Sequence, residues 1–512
     1  MRGNAMKKLR LKFNKKIFKK IMLSLLCIAL IAAVTVSSVF YFGGKFDESR
    51  GFDMKNNAYA LNGDEVNRLI AVKPNKNQLA FSDMEYYSFI HYGMNTFTGN
   101  EWGDGTDDPS VFNPETVDTD QWARVLKENG SKGIIFTAKH HDGFCLWQTA
   151  YTDYSIKNSP YMDGKGDIVK QVAESCKKYG LKFGIYLSPW DRNSKDYGTD
   201  AYNEYYINQL TELCTNYGDI FCFWLDGAKG DDVEDFNYDF NRYFEVIHKL
   251  QPNAVISICG EDVRWIGNEA GTTRQSEWSV VSKGNESLDG TEIEAIDSTA
   301  EDLGSREALK NYKNLVWYPA EADVSIYEDA WFYNGKSKLR KAKDLADIYF
   351  NTVGGNASLL LNVPPSKNGI IESDEEETLQ KFKQEVDKRF ENEIDYKVYN
   401  RNNQELLDNI KNADEGVQLT QFESTLTFKF DSKEKVKTVV LQEDISQSQR
   451  IEAFEIWAKV PGGYKKVYSG TTVGSKKIVR LSGKDVRKTD EIKIIFTQSR
   501  SYPFIKNIQF FS

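Results

Sequence analysis

From about residue 84 the chain alternates short apolar runs with amphipathic stretches of helical period. This alternation constrains the fold more than any other feature. Runs apolar on both faces, such as Ile220-Phe-Cys-Phe-Trp-Leu225, suit strands covered on both sides, and helices returning between parallel strands provide that cover. Strands are expected at 87–92, 133–139, 183–188, 220–226, 254–259, 315–321 and 358–363, with one more at 273–280 to make eight. Helices are expected at 120–129, 168–179, 202–217, 237–250 and 339–352. Asp120 or Thr119 is placed to cap the first, and Gly130 and Gly180 to close the first and second as left-handed residues.

The expectation is an α/β fold, a (β/α)8 TIM-like barrel, whose functional residues sit at the C-terminal ends of the strands. Polar residues gather at those ends: His91, His140-His141-Asp142, Tyr186 with Trp190 and Asp191, Asp226, Glu261, Glu321 with Asp323, and Asn362. Only four histidines occur in 512 residues, and three lie at strand ends. The fourth, His248, falls inside a helix and reads as structural or surface.

Beyond Pro364-Pro365 the pattern changes. A charged helix at 373–391, with Ser373 and Asp374 as its caps, precedes strand-like segments at 425–430, 437–442, 453–459, 465–469, 477–481 and 491–497. Such spacing reads as an all-β sandwich. The barrel is assigned to 71–391 and the sandwich to 392–512, where the sandwich is expected to brace the barrel.

Residues 1–20 hold nine Lys and Arg and no acid, forming a basic cytoplasmic flank; residues 21–44 are uncharged, long enough for a transmembrane signal anchor, with a cleaved signal peptide as the alternative. Residues 45–70 read as a linker. Either outcome exports the body, so an extracellular or cell-surface location is expected, membrane-anchored if the segment stays uncleaved. Without the first 20 residues the chain has 57 basic against 75 acidic side chains, which argues against a nucleic-acid partner. Cys27 lies in the apolar segment; the other five cysteines form no CxxC pair and read as buried free thiols.

Asp226 ends an apolar strand in Phe-Trp-Leu-Asp-Gly. Burying a carboxylate is costly unless it is hydrogen-bonded or paired, so such a residue is a candidate for chemistry. The His140-His141 pair suggests metal only weakly, because strand neighbours point to opposite sides and no HExxH or carboxylate triad accompanies it. No metal and no cofactor are expected. Aromatics at or near the strand ends, Trp102, Trp147, Tyr186, Trp190, Trp265, Trp278 and Trp331, offer apolar platforms for a sugar ring, with His, Asp, Glu and Asn at its edge.

The motifs Phe89-Ile-His-Tyr-Gly-Met-Asn-Thr-Phe97, Asn100-Glu-Trp-Gly-Asp104, Thr137-Ala-Lys-His-His-Asp-Gly-Phe144, Phe223-Trp-Leu-Asp-Gly227 and Leu359-Leu-Leu-Asn-Val-Pro-Pro365 occur in that order. Together they resemble the α-L-fucosidases of glycoside hydrolase family 29. Gly260-Glu-Asp-Val-Arg-Trp-Ile-Gly-Asn-Glu269 and Trp317-Tyr-Pro-Ala-Glu-Ala-Asp-Val324 further resemble the branch that prefers α-1,3/1,4-linked fucosides, although Ala322 stands where many relatives have Cys. The resemblance implies hydrolysis of terminal α-L-fucose from fucosylated glycans, Lewis-type or mucin and milk oligosaccharides. It puts the nucleophile on Asp226 and fucose contacts on His91, Glu101, Trp102, His140, His141, Tyr186 and Trp331. For the acid/base it favours Glu269, with Glu277 and Glu261 as alternatives. A retaining pair of this kind lies about 5–5.5 Å apart. A non-catalytic lectin and an enzyme acting on another sugar are the competing readings.

Overall fold

Eight parallel strands build the barrel in a computed structural model that describes residues 63–230, 236–406, 410–411, 416–420 and 424–512. The basic flank, the apolar segment 21–44 and most of the linker 45–70 lie outside the described residues. Among the described residues no helix is long and apolar enough to cross a membrane.

The strands are β1 (Tyr86–Ile90), β2 (Gly133–Lys139), β3 (Lys182–Leu187), β4 (Cys222–Leu225), β5 (Val255–Ile258), β6 (Arg264–Trp265), β9 (Ala320–Ser325) and β10 (Ala357–Asn362). They pair side by side in the order β5-β4-β3-β2-β1-β10-β9-β6. A parallel bridge between Ser257 and Val263 brings β6 back to β5 and nearly closes the barrel. Strands β1, β2, β9 and β10 are buried at every residue, as continuous apolar runs covered on both faces require.

Helices cover the outside. Ile168–Tyr179 is typical: Asp167 accepts from the backbone N–H of Lys170, Gly180 ends the helix at φ +66°, and Ile168, Val169, Val172 and Cys176 turn inward. Each such aliphatic side chain contributes about 1.5–3 kcal/mol when fully buried.

Two expected barrel strands fall elsewhere. The segment 273–280 is not the missing strand; the sixth is the two-residue β6, and β7 (Val280–Ser282) pairs antiparallel with β8 (Leu315–Trp317) outside the barrel. Arg274 accounts for the loop, since its guanidinium donates to the carbonyls of Ile266, Ser298 and Ala300 and pins 273–277 as irregular backbone. The expected run 315–321 is likewise split, because Pro319 interrupts pairing and the barrel strand β9 starts only at Ala320. Capping differs as well. Asp118, not Thr119 or Asp120, caps Thr119–Glu128, and Asp120 instead bonds Ser175 and Lys178. The helix Ser373–Asp387 is capped at Glu372, whose N–H donates to Glu375.

The C-terminal part is an antiparallel sandwich of a six-stranded and a four-stranded sheet. Its last strand, Phe504–Phe511, is absent from the sequence expectation, and a register shift opposite Gln442 and Glu443 breaks its alternation. Val440, Ile478 and Phe511 of the sandwich belong to the main barrel core, so the two layers share buried apolar surface. Cys145, Cys176, Cys214 and Cys222 are buried free thiols, and Cys259 is a partly buried one.

Candidate active site

The C-terminal ends of the barrel strands surround a cavity of about 310 Å³. Its polar lining comes from His91, His140, His141, Tyr186, Asp226, Glu269 and Asp323, and its apolar lining includes Phe89, Trp102, Trp224, Ile258, Trp265 and Trp331. A larger cleft of about 850 Å³ lies between the 266–276 and 299–307 loops and the sandwich, and none of these residues lines it. The smaller cavity, where strand ends and ionisable groups converge, is the candidate active site.

Asp226 follows β4 and is held at both oxygens. The Tyr186 hydroxyl donates to Oδ2 at 2.9 Å, and the Ala228 backbone N–H donates to Oδ1 at 2.8 Å. His141 Nε2 stands 3.8 Å from Oδ2. Glu269 lies on the exposed rim; desolvation at the cavity wall and then the negative charge of Asp226 raise its carboxyl above the usual range.

Hydrogen bonds behind the imidazoles assign their faces. Asn362 donates its amide N–H groups to the Trp331 carbonyl and Ser325 Oγ, so its oxygen accepts from His91 Nδ1 at 2.8 Å and Nε2 remains the acceptor. Ser188 donates its hydroxyl to the Trp190 carbonyl, so Oγ accepts from His141 Nδ1 at 2.8 Å, and Nε2 again is the acceptor. Asn95 Nδ2, which also donates to the Glu101 carbonyl, faces His140 Nδ1 at 3.3 Å, making His140 Nε2 a donor. Burial pushes His91 down to about 3 and lowers His140 and His141 too, so all three rings are neutral. Two acceptors and one donor around a carboxylate suit a ring of sugar hydroxyls.

A family model for alpha-L-fucosidase matches residues 64–388. The chain belongs to the α-L-fucosidase family. It is 38% identical to alpha-L-fucosidase 1 of Arabidopsis thaliana over 448 residues, 84% of this chain and 86% of that protein. The fucosidase also superposes on a glycoside hydrolase 29 family member from a rumen bacterium, with TM-score 0.72 and 34% identity over 86% of this chain and 77% of that one. A Ruminococcus gnavus family 29 fucosidase in complex with fucose matches with TM-score 0.73 and 28% identity, covering 86% of this chain and 95% of that one. The protein is a glycoside hydrolase, an α-L-fucosidase.

Of the fucosidase's expected site residues, His91, Trp102, His140, His141, Tyr186, Asp226, Glu269 and Trp331 all line the cavity. Glu101 does not. Its carboxylate accepts from the backbone N–H of Trp331, tying that indole's loop in place from behind. Among the three acid candidates only Glu269 faces the cavity. Glu261 is exposed and pairs with His248 at 3.5 Å, and Glu277 is buried against Arg264 and Arg274. No group of three His, Cys, Asp or Glu among the described residues is arranged to hold a metal ion.

Several lining residues carry no role in the sequence reading. Phe89 and Trp224 form the floor, and their strand periodicity reads simply as core. Ile258 has φ +71°, an outlying conformation for a β-branched residue and one that recurs at functional sites. The bond from Ile258 N–H to the Val263 carbonyl holds it at the turn from β5 into β6. Gly143, after the histidine pair, has φ +89°, and a Cβ there would come within 2.3 Å of Asp191 Oδ1. Only glycine lets the 140–143 turn pack against Asp191.

Proposed function

We propose that this fucosidase is a retaining exo-enzyme that removes terminal α-L-fucose, preferring α-1,3/1,4 linkages in Lewis-type, mucin or milk oligosaccharides. The observation that carries the reading is the pairing of Asp226 and Glu269 across one cavity. One carboxylate is held by two hydrogen bonds, and the other has its pKa raised by desolvation at the cavity wall and then by the charge of the first. A carboxyl group raised in this way, opposite a hydrogen-bonded carboxylate, suits the acid partner of a nucleophile.

In the proposed sequence Asp226 attacks the anomeric carbon while protonated Glu269 donates to the departing glycosidic oxygen. The fucosyl ester forms and the C–O bond to the leaving sugar breaks. Glu269 then takes a proton from water, whose oxygen displaces Asp226 and releases α-L-fucose. The acceptor nitrogens of His91 and His141 and the donor of His140 bind sugar hydroxyls. Phe89, Trp224 and Ile258 offer the apolar wall that a 6-deoxy sugar needs for its methyl group.

The linkage preference rests on the two branch-like motifs around Glu269 and β9. In the same proposal residues 21–44 export the body to the cell surface or beyond. Proton NMR of a Lewis-type trisaccharide digest tests the chemistry: α-L-fucose as the first anomer is expected, and β-L-fucose overturns retention. Asp226→Asn is expected to abolish turnover in a folded protein; near-normal activity sinks the nucleophile assignment. Faster cleavage of an α-1,2-linked trisaccharide overturns the linkage preference, and recovery of full-length protein only in the cytosolic fraction overturns export.

A further inference from the structure

Strand β9 places Glu321 and Asp323 two residues apart, so both side chains point to the same face, into the barrel. Both are buried, and neither has a cation partner among the described ion pairs. Each instead accepts an indole N–H. Glu321 Oε1 takes Trp224 Nε1 at 2.6 Å, and its other oxygen takes the Tyr87 hydroxyl. Asp323 Oδ1 takes Trp265 Nε1 at 2.7 Å.

The two indoles sit on the two catalytic elements. Trp224 precedes Asp226 by two residues on β4, and Trp265 precedes Glu269 by four on β6. The backbone reinforces the second link, because Trp265 is in register with Glu321 and the Ile266 N–H donates to the Glu321 carbonyl at 2.9 Å. Burying two carboxyl groups without cations is unfavourable for the fold, and apolar residues of similar size would pack the same space with less cost. Burial pushes Glu321 up to about 7 and Asp323 up to about 8, toward the protonated form that needs no cation. Arg274 meets the same segment from the other side, donating to the Ile266 carbonyl at 2.8 Å. The start of the Glu269 loop is therefore held at Trp265 and at Ile266, and the one side-chain hold from β9 is Asp323 on the Trp265 indole.

We propose that Asp323 is a positioning residue for leaving-group protonation: by fixing the Trp265 indole it sets where the following segment presents Glu269. The inference rests on Glu269 being the acid/base. It follows that loss of the Asp323 acceptor weakens the protonation of poor leaving groups and spares substrates that need no protonation.

The test compares a fucosylated trisaccharide with 2,4-dinitrophenyl α-L-fucoside, whose leaving group departs unprotonated, using the full chain and the variants Asp323→Ala, Asp323→Asn, Trp265→Phe and Glu269→Ala. General-acid assistance contributes about 10²–10⁴-fold, and a misplaced acid forfeits part of it. With Asp323→Ala, kcat/KM is expected to fall about 10- to 100-fold on the trisaccharide and less than about threefold on the aryl fucoside. Trp265→Phe, which keeps a ring and removes the N–H, should reproduce that split even if Asp323→Ala folds poorly. Asp323→Asn keeps an oxygen acceptor and should stay within about threefold of the parent on both substrates. Equal losses on both substrates, or Asp323→Asn as damaging as Asp323→Ala, overturn the proposal. Glu269→Ala separates the two levels. If it shows no split, the acid/base reading fails and this inference with it; if it splits and the Asp323 and Trp265 variants do not, only the positioning role falls.

Discussion

Tyr186 donates its hydroxyl at 2.9 Å to Asp226 Oδ2, the same oxygen that lies 3.8 Å from His141 Nε2. The phenol is buried and stacks on Trp224 with ring centroids 5.3 Å apart, so its direction is set by packing. Burial and the Asp226 charge both raise its pKa, which keeps it a donor throughout the working range. Tyr186→Phe deletes the hydroxyl and keeps the stacked ring. A hydrogen bond to a charged group is worth about 1.5–3 kcal/mol, which predicts a loss of about 10- to 100-fold in kcat/KM. Steady-state kinetics beside a thermal melt check this; an unchanged kcat/KM contradicts it.

Trp102 lies on the rim of the cavity and is 53% exposed. It meets His141 and Trp190 edge-on, at 5.9 and 5.6 Å between ring centroids. An exposed ring of this kind contributes little to folding, and the proposed role for it is to hold a sugar face. Trp102→Ala is expected to raise KM about tenfold, consistent with loss of about 1–1.5 kcal/mol of contact, while the melting temperature stays within about 2 °C. A kcat loss at unchanged KM would place Trp102 in the reacting geometry instead.

Lys139 is completely buried immediately before the histidine pair. Its ammonium bonds Asp191 Oδ2 at 3.0 Å and Gln209 Oε1 at 2.9 Å, among the rings of Tyr202, Tyr205 and Tyr206. Asp191 in turn accepts from the backbone N–H groups of Asn193 and Ser194. Lys139→Met leaves that carboxylate buried without its cation, a cost of about 3–5 kcal/mol. Urea denaturation should show the loss, with part of it regained in the Lys139→Met/Asp191→Asn double variant. A single variant as stable as the parent would mean that water reaches Asp191.

Buried carboxyl groups shape the pH dependence of stability. Burial pushes Glu321 and Glu443 up to about 7, and Asp142, Asp323 and Glu375 up to about 8. Each folded pKa exceeds its unfolded value, so the folded state holds protons that the unfolded chain has already lost. That stability is complete at acid pH and is lost as pH rises through 7 and 8. His91, His140 and His141 act oppositely: their pKa values are lowered, so the unfolded chain alone gains protons below about 6.5 and stability falls there. The melting temperature is expected to decline from pH 6.5 toward pH 8.5, where the histidines no longer contribute. A flat or rising melting temperature between pH 6.5 and 8.5 contradicts the assignment.

Much of this protein is local chemistry and is legible in the chain itself. Periodicity alone locates β2 at Gly133–Lys139 and the helix Ile168–Tyr179, and a scarcity of histidine beside strand-end polar residues outlines the cavity. Those features depend on neighbours within a few residues. The two-residue β6 has too few residues to show any period, and it exists only because β9 and β5 flank it. Three candidate acids lie within 17 residues of one another, and nothing in their spacing tells them apart. Tertiary contacts do: His248 engages Glu261, Arg264 and Arg274 enclose Glu277, and Glu269 is left facing Asp226's cavity. The roles of Glu101, Glu321 and Asp323 belong to the same class. A carboxylate's work depends on which N–H groups reach it, and here those donors come from residues between 58 and 234 positions away. Strand pattern and motif order thus indicated the barrel and the ionisable candidates, and only the nearly closed barrel, by bringing distant partners within hydrogen-bond reach, decided which contacts each of them makes.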